Sequence, residues 1–586
     1  MDQAVSQEKS SELDGSRNQN NVELSSAGET KPEASSSDKA ESTTKEEPED
    51  ESKYPSGMRL GLVMLALCLA VFLMSLDNSI ISTAIPKITD EFNSLGDIGW
   101  YGSAYLLTTA SLQLVYGKFY SFLPIKLVYL AAIFIFEVGS VLCGAATSSQ
   151  MLIVGRAIAG VGAAGVFSGS LIILAHSAPL RRRPLYTGLI GGVYGISSVA
   201  GPLLGGAFTD GVTWRWCFYI NLPIGGLALG VIAIFFPEPA RKIDAAKGWK
   251  DRIMSFDPIG TAVLIPDVIC LLLALQWGGT TYAWSDGRII ALLVLFSVLL
   301  ITWILLQYFQ GERATVPGRI IRPRSVWSAC LFSMCCGAVL FVAIYYLPIW
   351  FQVVKGASAV QSGIDNLALI LGVTVGSIFG GALTTVWGQY APLMVAGAAL
   401  SSVGFGLITT FSPDTESGRW IGYQALAGFG LGLGTQQPIV AVQNVLALID
   451  VPTGTTLLVF VQTISGAIFN SVAQSVFTNK LQQNIIEYTP GLNPAIVLGT
   501  GATAVQSSIP AEYLDGVRLA YNNALNRVML IPAVIAAVSV IFGFTIEWRS
   551  VKGKDKKNAD VSATLEAASE PQAEAGKGKH KKSCCA

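Results

Sequence analysis

The chain has 586 residues, of which 13% are charged and 51% are hydrophobic, whereas a soluble domain carries about 25% charged residues. The charges are concentrated at the ends, because residues 1–58 and 547–586 hold 35 of the 79 formal charges. The segment between them is too apolar for a soluble core and predicts an all-α polytopic membrane protein. The net charge of −1 gives no strongly basic surface, so no nucleic-acid partner is expected.

The two ends of the chain predict disordered tails. Residues 1–58 are rich in Ser, Glu, Lys and Asn and contain no apolar run, which excludes a cleavable signal peptide within them. Residues 547–586 are rich in Lys, Glu and Ala and have the same character.

Between the tails, apolar runs long enough to cross a bilayer recur at regular intervals. Fourteen spans are predicted, at residues 60–84, 100–120, 127–146, 151–175, 186–208, 217–236, 259–276, 289–308, 327–351, 364–387, 391–411, 420–447, 454–478 and 528–546. An even number of spans places both tails on one side of the membrane. Lys and Arg are concentrated on that side, above all at 181–183, 241–252 and 313–324, so both tails are predicted to be cytoplasmic.

Glycine patterns indicate an internal duplication. Residues 117–121 close span 2 and residues 381–388 close span 10 on the same side, and spans 4 and 12 are both rich in glycine. The constant offset of eight spans predicts two equivalent six-helix bundles, at 59–237 and 326–546. The linker 238–325 then holds two inserted spans, and the second bundle includes an extracellular loop at 479–527.

Other familiar patterns do not indicate a cofactor. Residues Gly160–Gly165 match the letters of a dinucleotide fingerprint, but they lie inside an apolar run, where small residues allow membrane helices to pack closely. The sequence has no phosphate-binding Gly-x-x-x-x-Gly-Lys-Ser/Thr loop, which argues against ATP. The 9 cysteines show no paired spacing and predict no metal site. Two histidines leave no catalytic constellation, so an enzyme is not expected.

Very few charged residues lie within the spans, and such residues are usually functional because burying a charge in lipid is costly. Asp77 in span 1 and Arg156 in span 4 both lie roughly 8–12 Å below the outer surface at about 1.5 Å per residue, so we expect an ion pair that couples transport to protons. Glu137 and Asp267 fall near mid-membrane. For Glu137 we also expect a protonated side chain hydrogen-bonded between helices, and for Asp267 a bond to the backbone freed by Pro266.

Neutral polar side chains in the spans predict the lining of a cargo site. Amides and aromatic rings with few charges suit a medium-sized, largely apolar organic molecule. The candidate lining residues are Asn78, Tyr105, Gln113, Tyr345, Tyr346, Gln352, Gln436, Gln437, Gln443, Asn444, Gln462 and Asn470. The alternative is that the amides join helices and the aromatic rings form interfacial belts.

Six motifs carry a family resemblance, at Leu76–Ile81, Gly155–Ala164, Gly201–Gly206, Trp214–Gly225, Leu271–Gly279 and Tyr346–Gln352. In this order and on these spans they resemble the major facilitator superfamily, and within it the fourteen-span drug:proton antiporters of the fungal toxin and secondary-metabolite efflux type. The resemblance implies the major facilitator fold, here two six-helix bundles plus two inserted central helices. It also implies proton coupling through Asp77 and Arg156.

Two further parts of the resemblance concern direction and gating. Gly201, Pro202, Gly205 and Gly206 resemble the antiporter motif, which implies export. The cytoplasmic gate of the family corresponds to Gly117, Ser121 and Lys126, but Ser121 stands where the family usually has an aspartate. A gate latch based on that charge is therefore not expected in this chain.

The leading hypothesis is a proton-coupled exporter of small, largely apolar organic compounds such as toxins, secondary metabolites or drugs. Its partners would be that cargo, protons and the lipid bilayer, and its location the plasma membrane, with the vacuolar membrane as the other possibility. Two alternatives stay open: a proton-coupled importer of a siderophore or nutrient, and a transporter-like membrane sensor.

Overall fold

A computed structural model describes residues 54–55, 57–92, 94, 97–239, 253–279, 281–499, 505 and 509–552. Nearly all of the two predicted tails, and residues 240–252 of the predicted linker, lie outside the described residues. The described part is built from α-helices. Thirteen of its helical segments are long and apolar enough to cross a membrane.

The N-terminal half consists of five long helices followed by a broken sixth. These helices are α1 (Met58–Phe92), α2 (Ile98–Phe122), α3 (Ile125–Gly144), α4 (Ser149–Ser177), α5 (Arg183–Gly211), α6 (Trp216–Tyr219) and α7 (Asn221–Phe235). Local chemistry fixes several ends; for example, Ser148 Oγ accepts a hydrogen bond from Met151 N and begins α4. Helix α1 packs on α5, and α4 packs on α2 and α3.

The middle of the chain contains α8 (Pro258–Trp277) and α9 (Gly287–Gln310), followed by the short α10 (Gly318–Ile321). Asp257 begins α8 from a left-handed conformation (φ 53°) and accepts a hydrogen bond from Gly260 N. Helices α8 and α9 pack on each other, and α8 also contacts α2. Almost all of α9 is exposed in the structure, as expected for a helix that faces lipid.

The C-terminal half repeats the pattern of long and broken helices. These helices are α11 (Arg324–Val353), α12 (Ala359–Asp365), α13 (Leu367–Trp387), α14 (Ala391–Ile408), α15 (Ser417–Thr435), α16 (Gln437–Val445), α17 (Val451–Tyr488), α18 (Pro494–Gly499) and α19 (Ala511–Thr545). Helix α15 packs on α13 and α14, while α11 packs on α17 and α19.

Two features of the predicted spans change in the structure. The segment predicted as span 2 forms the 25-residue helix α2. Its Tyr, Thr, Gln and Lys side chains make it less apolar than the thirteen segments counted above, so the count of fourteen spans stays a prediction. Part of the loop predicted at 479–527 is helical, since α17 continues to Tyr488 and α19 begins at Ala511.

Glycines bring the helices together, as predicted for spans 4 and 12. A side chain at Gly160 would collide with the backbone of Tyr105 in α2, and one at Gly162 with the backbone of Phe136 in α3. In the second half, Gly428 and Gly432 approach the backbone of α13 in the same way. Nucleotide binding is therefore not needed to explain these glycines, since helix contact accounts for them.

The two halves meet along two helix pairs, α2 with α17 and α5 with α13. Gly117 lies against Thr456 in the first pair. In the second pair, Gly381 lies against the backbone of Pro184. Both contacts are near the helix ends that were predicted to be cytoplasmic, so the halves are in close contact on that side.

Candidate functional site

A central cavity lies between the two halves. Its wall is mainly apolar and is formed by α1, α2, α4 and α5 from one half and by α11, α13, α15, α16 and α17 from the other. Five of the twelve residues predicted to line a cargo site are part of the wall of this cavity: Asn78, Tyr105, Gln113, Gln436 and Gln462. The cavity wall contains no Asp, Glu, Lys or Arg among the described residues.

Sequence reasoning missed several polar and aromatic residues of the wall. These are Thr109, Phe167, Tyr194, Ser198, Phe341, Thr435 and Thr463. Hydroxyl groups in apolar helices usually bond to their own backbone, as Thr109 does to Tyr105 O at 2.7 Å, and therefore give no distinct sequence signal. Only the helix arrangement shows which of them face the cavity.

The other seven predicted lining residues lie outside this cavity. For most of them the structure gives the reason, since their amides and hydroxyls join helices. Tyr346 donates to Gln474 Oε1, Gln352 to Ser362 Oγ and Gln443 to Leu171 O, while Gln437 Oε1 accepts from Thr384 Oγ1. Tyr345 is half exposed, and Tyr345, Asn444 and Asn470 are not part of the wall. The amides of predicted span 12 do not share one continuous helix, because the helix breaks at Gln436, before Pro438.

Asp77 and Arg156 form the ion pair that their equal depth predicted. Arg156 Nη1 lies 2.5 Å from Asp77 Oδ2, and both side chains are fully buried. Arg156 Nε also donates a hydrogen bond to Tyr101 O at 2.8 Å. Two opposite charges in such a place stabilise each other, and either one alone would be strongly destabilising.

Tyr105 connects this ion pair to the cavity. The guanidinium carbon of Arg156 lies 4.5 Å from the centre of the Tyr105 ring, a cation–π contact. The same ring lines the cavity, and its hydroxyl donates to Met74 O at 3.1 Å. A change in the charge or position of Arg156 therefore changes its contact with Tyr105, which is part of the cavity wall.

Asn221 completes the surroundings of Asp77 and was not predicted. Its Nδ2 donates to Asp77 Oδ1 at 3.1 Å and to Ser140 Oγ at 3.0 Å. Asn221 begins α7 directly after the break at Ile220, and it is fully buried. The sequence pointed to Asn221 only through its place in the motif Trp214–Gly225. A neutral amide in a short motif does not show which residue it bonds.

The antiporter motif packs α5 against α1. A side chain at Gly201 would collide with Ser79, and one at Gly205 with Thr83 and the backbone of Ile80. Gly206 faces open space, with nothing within 4 Å of the position of a side chain. Pro202 lies inside α5, next to this contact. The motif therefore fixes the distance between α5 and the helix that carries Asp77.

Two of the three predicted gate residues, Gly117 and Ser121, lie at the contact between α2 and α17. Gly117 contacts Thr456, and Ser121 Oγ lies 2.9 Å from Gly117 O and 3.2 Å from Thr453 Oγ1. Lys126 instead lies at the start of α3, where its backbone N donates to Glu238 Oε2 at 3.0 Å. The nearby Lys118, which was not predicted, is buried and its Nζ donates to Arg313 O in the linker. Hydroxyl groups stand at this contact where the family usually has a charge.

Two more carboxyl groups lie within the spans. Glu137 in α3 has both carboxyl oxygens buried and without a hydrogen-bond partner among the described residues, so the predicted hydrogen bond between helices is absent there. Asp267 Oδ1 in α8 is likewise buried without a partner in the described part of the chain. No group of three or more His, Cys, Asp or Glu side chains comes together as a metal site within those residues.

Comparison with known proteins gives a consistent result. The family model of the Major Facilitator Superfamily matches residues 67–470. The chain is 53% identical to the MFS-type efflux pump MFS1 of Arthroderma benhamiae, over 88% of this chain and 96% of that protein. It is 52% identical to the efflux pump aflT of Aspergillus parasiticus, over 86% and 99%. It is 47% identical to the rubrofusarin-specific efflux pump aurT of Gibberella zeae, over 86% and 92%.

Solved structures share the fold at low sequence identity. The proton:xylose symporter XylE matches with a TM-score of 0.56 and 13% identity, over 86% of this chain and 99% of that chain. The human organic anion transporter MFSD10 matches with a TM-score of 0.51 and 14% identity, over 82% and 100%. Identities this low bear on the fold alone.

Proposed function

The chain belongs to the Major Facilitator Superfamily and is a multi-pass membrane transporter rather than an enzyme, and from this premise we propose that it is a proton-coupled exporter of small, largely apolar organic compounds. Secondary metabolites or toxins are the proposed cargo class. The names of three relatives support export, since these proteins, aligned at 47–53% identity over nearly their whole length, are called efflux pumps.

The observation that carries the proton coupling is the buried pair of Asp77 and Arg156 beside the cavity. A proton that binds Asp77 removes its negative charge and weakens the attraction to Arg156. Arg156 then interacts more strongly with the Tyr105 ring and the backbone around it. Because Tyr105 lines the cavity, protonation and cargo binding favour different arrangements of the same wall, which is the requirement for exchange.

The cavity supports an apolar, uncharged or weakly ionised cargo. Its wall is formed mainly by aliphatic and aromatic side chains, with a few amides and hydroxyls that orient a ligand. A strongly charged cargo would lose its hydration there without a counter-charge from the wall. Gln436 and Gln462 from the second half and Asn78 and Gln113 from the first can bond carbonyl or hydroxyl groups of the cargo from both sides.

The test is directional transport by the purified protein in sealed vesicles. A pH gradient is imposed, and a fluorescent apolar dye is followed for wild type and for Asp77→Asn. We expect dye to move against the proton gradient in wild type and the gradient dependence to disappear in Asp77→Asn. Asp267→Asn is the matched control, because it neutralises a membrane carboxyl in the inserted helix α8, outside the pair, and should leave the gradient dependence intact.

The other outcomes separate the alternatives. Movement of the dye with the protons would favour an importer and overturn export. Normal transport by Asp77→Asn with an unchanged pH dependence would overturn the role of the ion pair. If neither the dye nor a panel of fungal metabolites moves in wild type, while the protein is folded and correctly inserted, the membrane sensor becomes the better interpretation.

The proposed location is the plasma membrane, with both tails in the cytoplasm. The support is the concentration of Lys and Arg on the tail side of the membrane. Protease treatment of intact cells that express the chain with an epitope at each end tests the orientation. Cleavage of either epitope from outside would contradict it.

A further inference from the structure

Glu137 occupies a space that the neighbouring helix leaves open for it. A side chain at Gly225 in α7 would overlap Glu137 Oε1, so the carboxyl group fits only because residue 225 is glycine. Both carboxyl oxygens are buried, and neither has a hydrogen-bond partner among the described residues. An ionised carboxylate in an apolar surrounding without a partner is very costly, and the group therefore holds a proton in this state.

This carboxyl group lies one helical turn from the surroundings of Asp77. Ser140 is three residues after Glu137 in α3, and Asn221 is four residues before Gly225 in α7, so both pairs share a helix face. Asn221 Nδ2 bonds both Ser140 and Asp77. A turn of helix rises about 5 Å. Glu137 therefore lies about 5 Å from the level of Asp77, on the side of the N-terminal end of α3.

Asn221 also has an unused acceptor. Its Oδ1 is buried and has no partner among the described residues. In the present state its NH₂ group donates to the ionised Asp77. If Asp77 takes up a proton, the acid O–H needs an acceptor, and rotation of the Asn221 amide presents Oδ1 to it. The same rotation frees the NH₂ group to turn toward a neighbouring carboxylate.

We propose that Glu137 is a second proton-binding carboxyl group of this transporter, coupled to Asp77 through the side chain of Asn221. A proton leaves a Glu137 carboxyl oxygen and a proton joins Asp77 Oδ1, so the pair keeps one negative charge throughout. Two carboxylates one turn apart in a medium of low dielectric constant resist joint ionisation, and they therefore titrate as a coupled pair.

The surroundings of the pair contain one fixed positive charge, on Arg156. The titratable or charged side chains that face the pair from the packed helices are Asp77 of α1, Tyr105 of α2, Cys143 of α3, Arg156 of α4 and Cys217 of α6. Helix α7 contributes Asn221 and Gly225, neither of which titrates. Since Arg156 bonds Asp77 directly, it favours ionised Asp77 and a proton on Glu137. The motif Trp214–Gly225 then has a physical role, because Asn221 bonds Asp77 and Gly225 makes room for Glu137.

The proposal rests on the proposed proton coupling, and its test therefore has a readout that does not need transport. Infrared difference spectra of the purified full chain, recorded across a titration from about pH 5 to pH 9, report the carbonyl stretch of protonated carboxylic acids. We expect a protonated-acid band in wild type that is lost in Glu137→Gln. In Asp77→Asn the same band should titrate at a pH changed by about one unit or more, a tenfold change in proton affinity. Asp267→Asn should retain the band and its titration.

Transport gives the second readout. In vesicles, the pH at which gradient-driven transport is half-maximal should shift by about one unit or more in Glu137→Gln, because Asp77 then titrates without a second carboxyl group beside it, whereas Asp77→Asn loses the gradient dependence altogether. Asn221→Leu serves if Glu137→Gln does not fold; it should retain the band but reduce the shift that Asp77→Asn causes in its titration, because only the direct interaction between the two carboxyl groups then remains. A band and a pH dependence of transport that are both unchanged in Glu137→Gln would overturn the proposal. Absence of proton-driven transport in wild type together with a coupled band would overturn only the proposed function.

Discussion

The two halves share a helix arrangement but differ in the chemistry of their interiors. The N-terminal half buries Asp77, Arg156 and the carboxyl group of Glu137 within its helices. In the C-terminal half, α13 and α16 contain no Asp, Glu, Lys or Arg, and the buried polar contacts are neutral, such as Trp350 Nε1 to Asn522 Oδ1 at 2.9 Å. The proposed proton coupling therefore rests on one half, while the other supplies shape and neutral hydrogen bonds to the common cavity.

The difference shows how one cavity can respond to two kinds of ligand. A proton changes charge, and in the proposed mechanism that change reaches the wall through the contact of Arg156 with Tyr105. An apolar cargo changes packing, and both halves contact it. An asymmetric interior allows the two events to be coupled without a charged residue in the wall, where it would disfavour an apolar cargo.

The largest effect is expected from Arg156→Gln, which tests the charged half directly. Removing the guanidinium leaves Asp77 buried without its partner, which destabilises the protein by about 3–5 kcal/mol. Thermal unfolding in detergent measures this loss. The double variant Asp77→Asn with Arg156→Gln should recover much of the stability but not the gradient-driven transport. Equal stability of the single and double variants would mean that the two charges do not depend on each other.

The second prediction concerns the contact that holds α5 against the helix of Asp77. In Gly205→Ala the new methyl group meets the backbone of Ile80, which cannot move without shifting α1, and we expect a loss of about 2 kcal/mol. Gly206→Ala is the matched variant, since the space there is open, and it should cost less than about 0.5 kcal/mol. Unfolding temperatures of the two purified variants decide the point, and similar values would contradict the assigned contact.

The third prediction tests the neutral half. Trp350→Phe keeps the ring but removes the N–H that bonds Asn522, which is buried and also donates to Phe411 O. We expect a loss of about 1 kcal/mol in unfolding free energy. The pH dependence of transport should match that of wild type, because no titratable group is changed. A shifted pH profile would show that the second half also takes part in proton coupling.

The sequence predicted the charged half better than the neutral one, for a physical reason. Charges are rare in apolar helices, so equal depth was enough to pair Asp77 with Arg156. Amides are common there and bond to whatever lies near, as Gln437 does to Thr384. Helix periodicity could not tell such contacts from cavity lining. Length and charge predicted the membrane helices, and the family resemblance of the motifs implied their arrangement, while the break at Gln436 and the bridge made by Asn221 depend on the three-dimensional packing.

The smallest expected effect comes from a charged pair of the same half that is not buried. Arg215 Nη2 lies 2.8 Å from Glu91 Oε1 beyond the apolar part of α1, and both side chains are partly exposed. Hydrogen bonds from Arg215 and from Trp214 lower the pKa of Glu91. A carboxyl group with a lowered pKa stabilises the fold above its ordinary pKa, and this contribution is lost as the pH falls through the lowered value.

Arg215→Gln should therefore reduce stability by about 0.2–1 kcal/mol near neutral pH, and the difference from wild type should vanish in acid, where Glu91 is protonated in both. Unfolding temperatures measured from neutral pH down to about pH 3, with Glu91→Gln as the matched variant, follow this convergence. Transport should keep its gradient dependence, because this pair lies outside the contacts of Asp77. If Arg215→Gln removed the gradient dependence as completely as Asp77→Asn does, a position near the outer end of the helices, and not burial, would determine which charges couple to protons. The contrast between the two halves would then lose its physical basis.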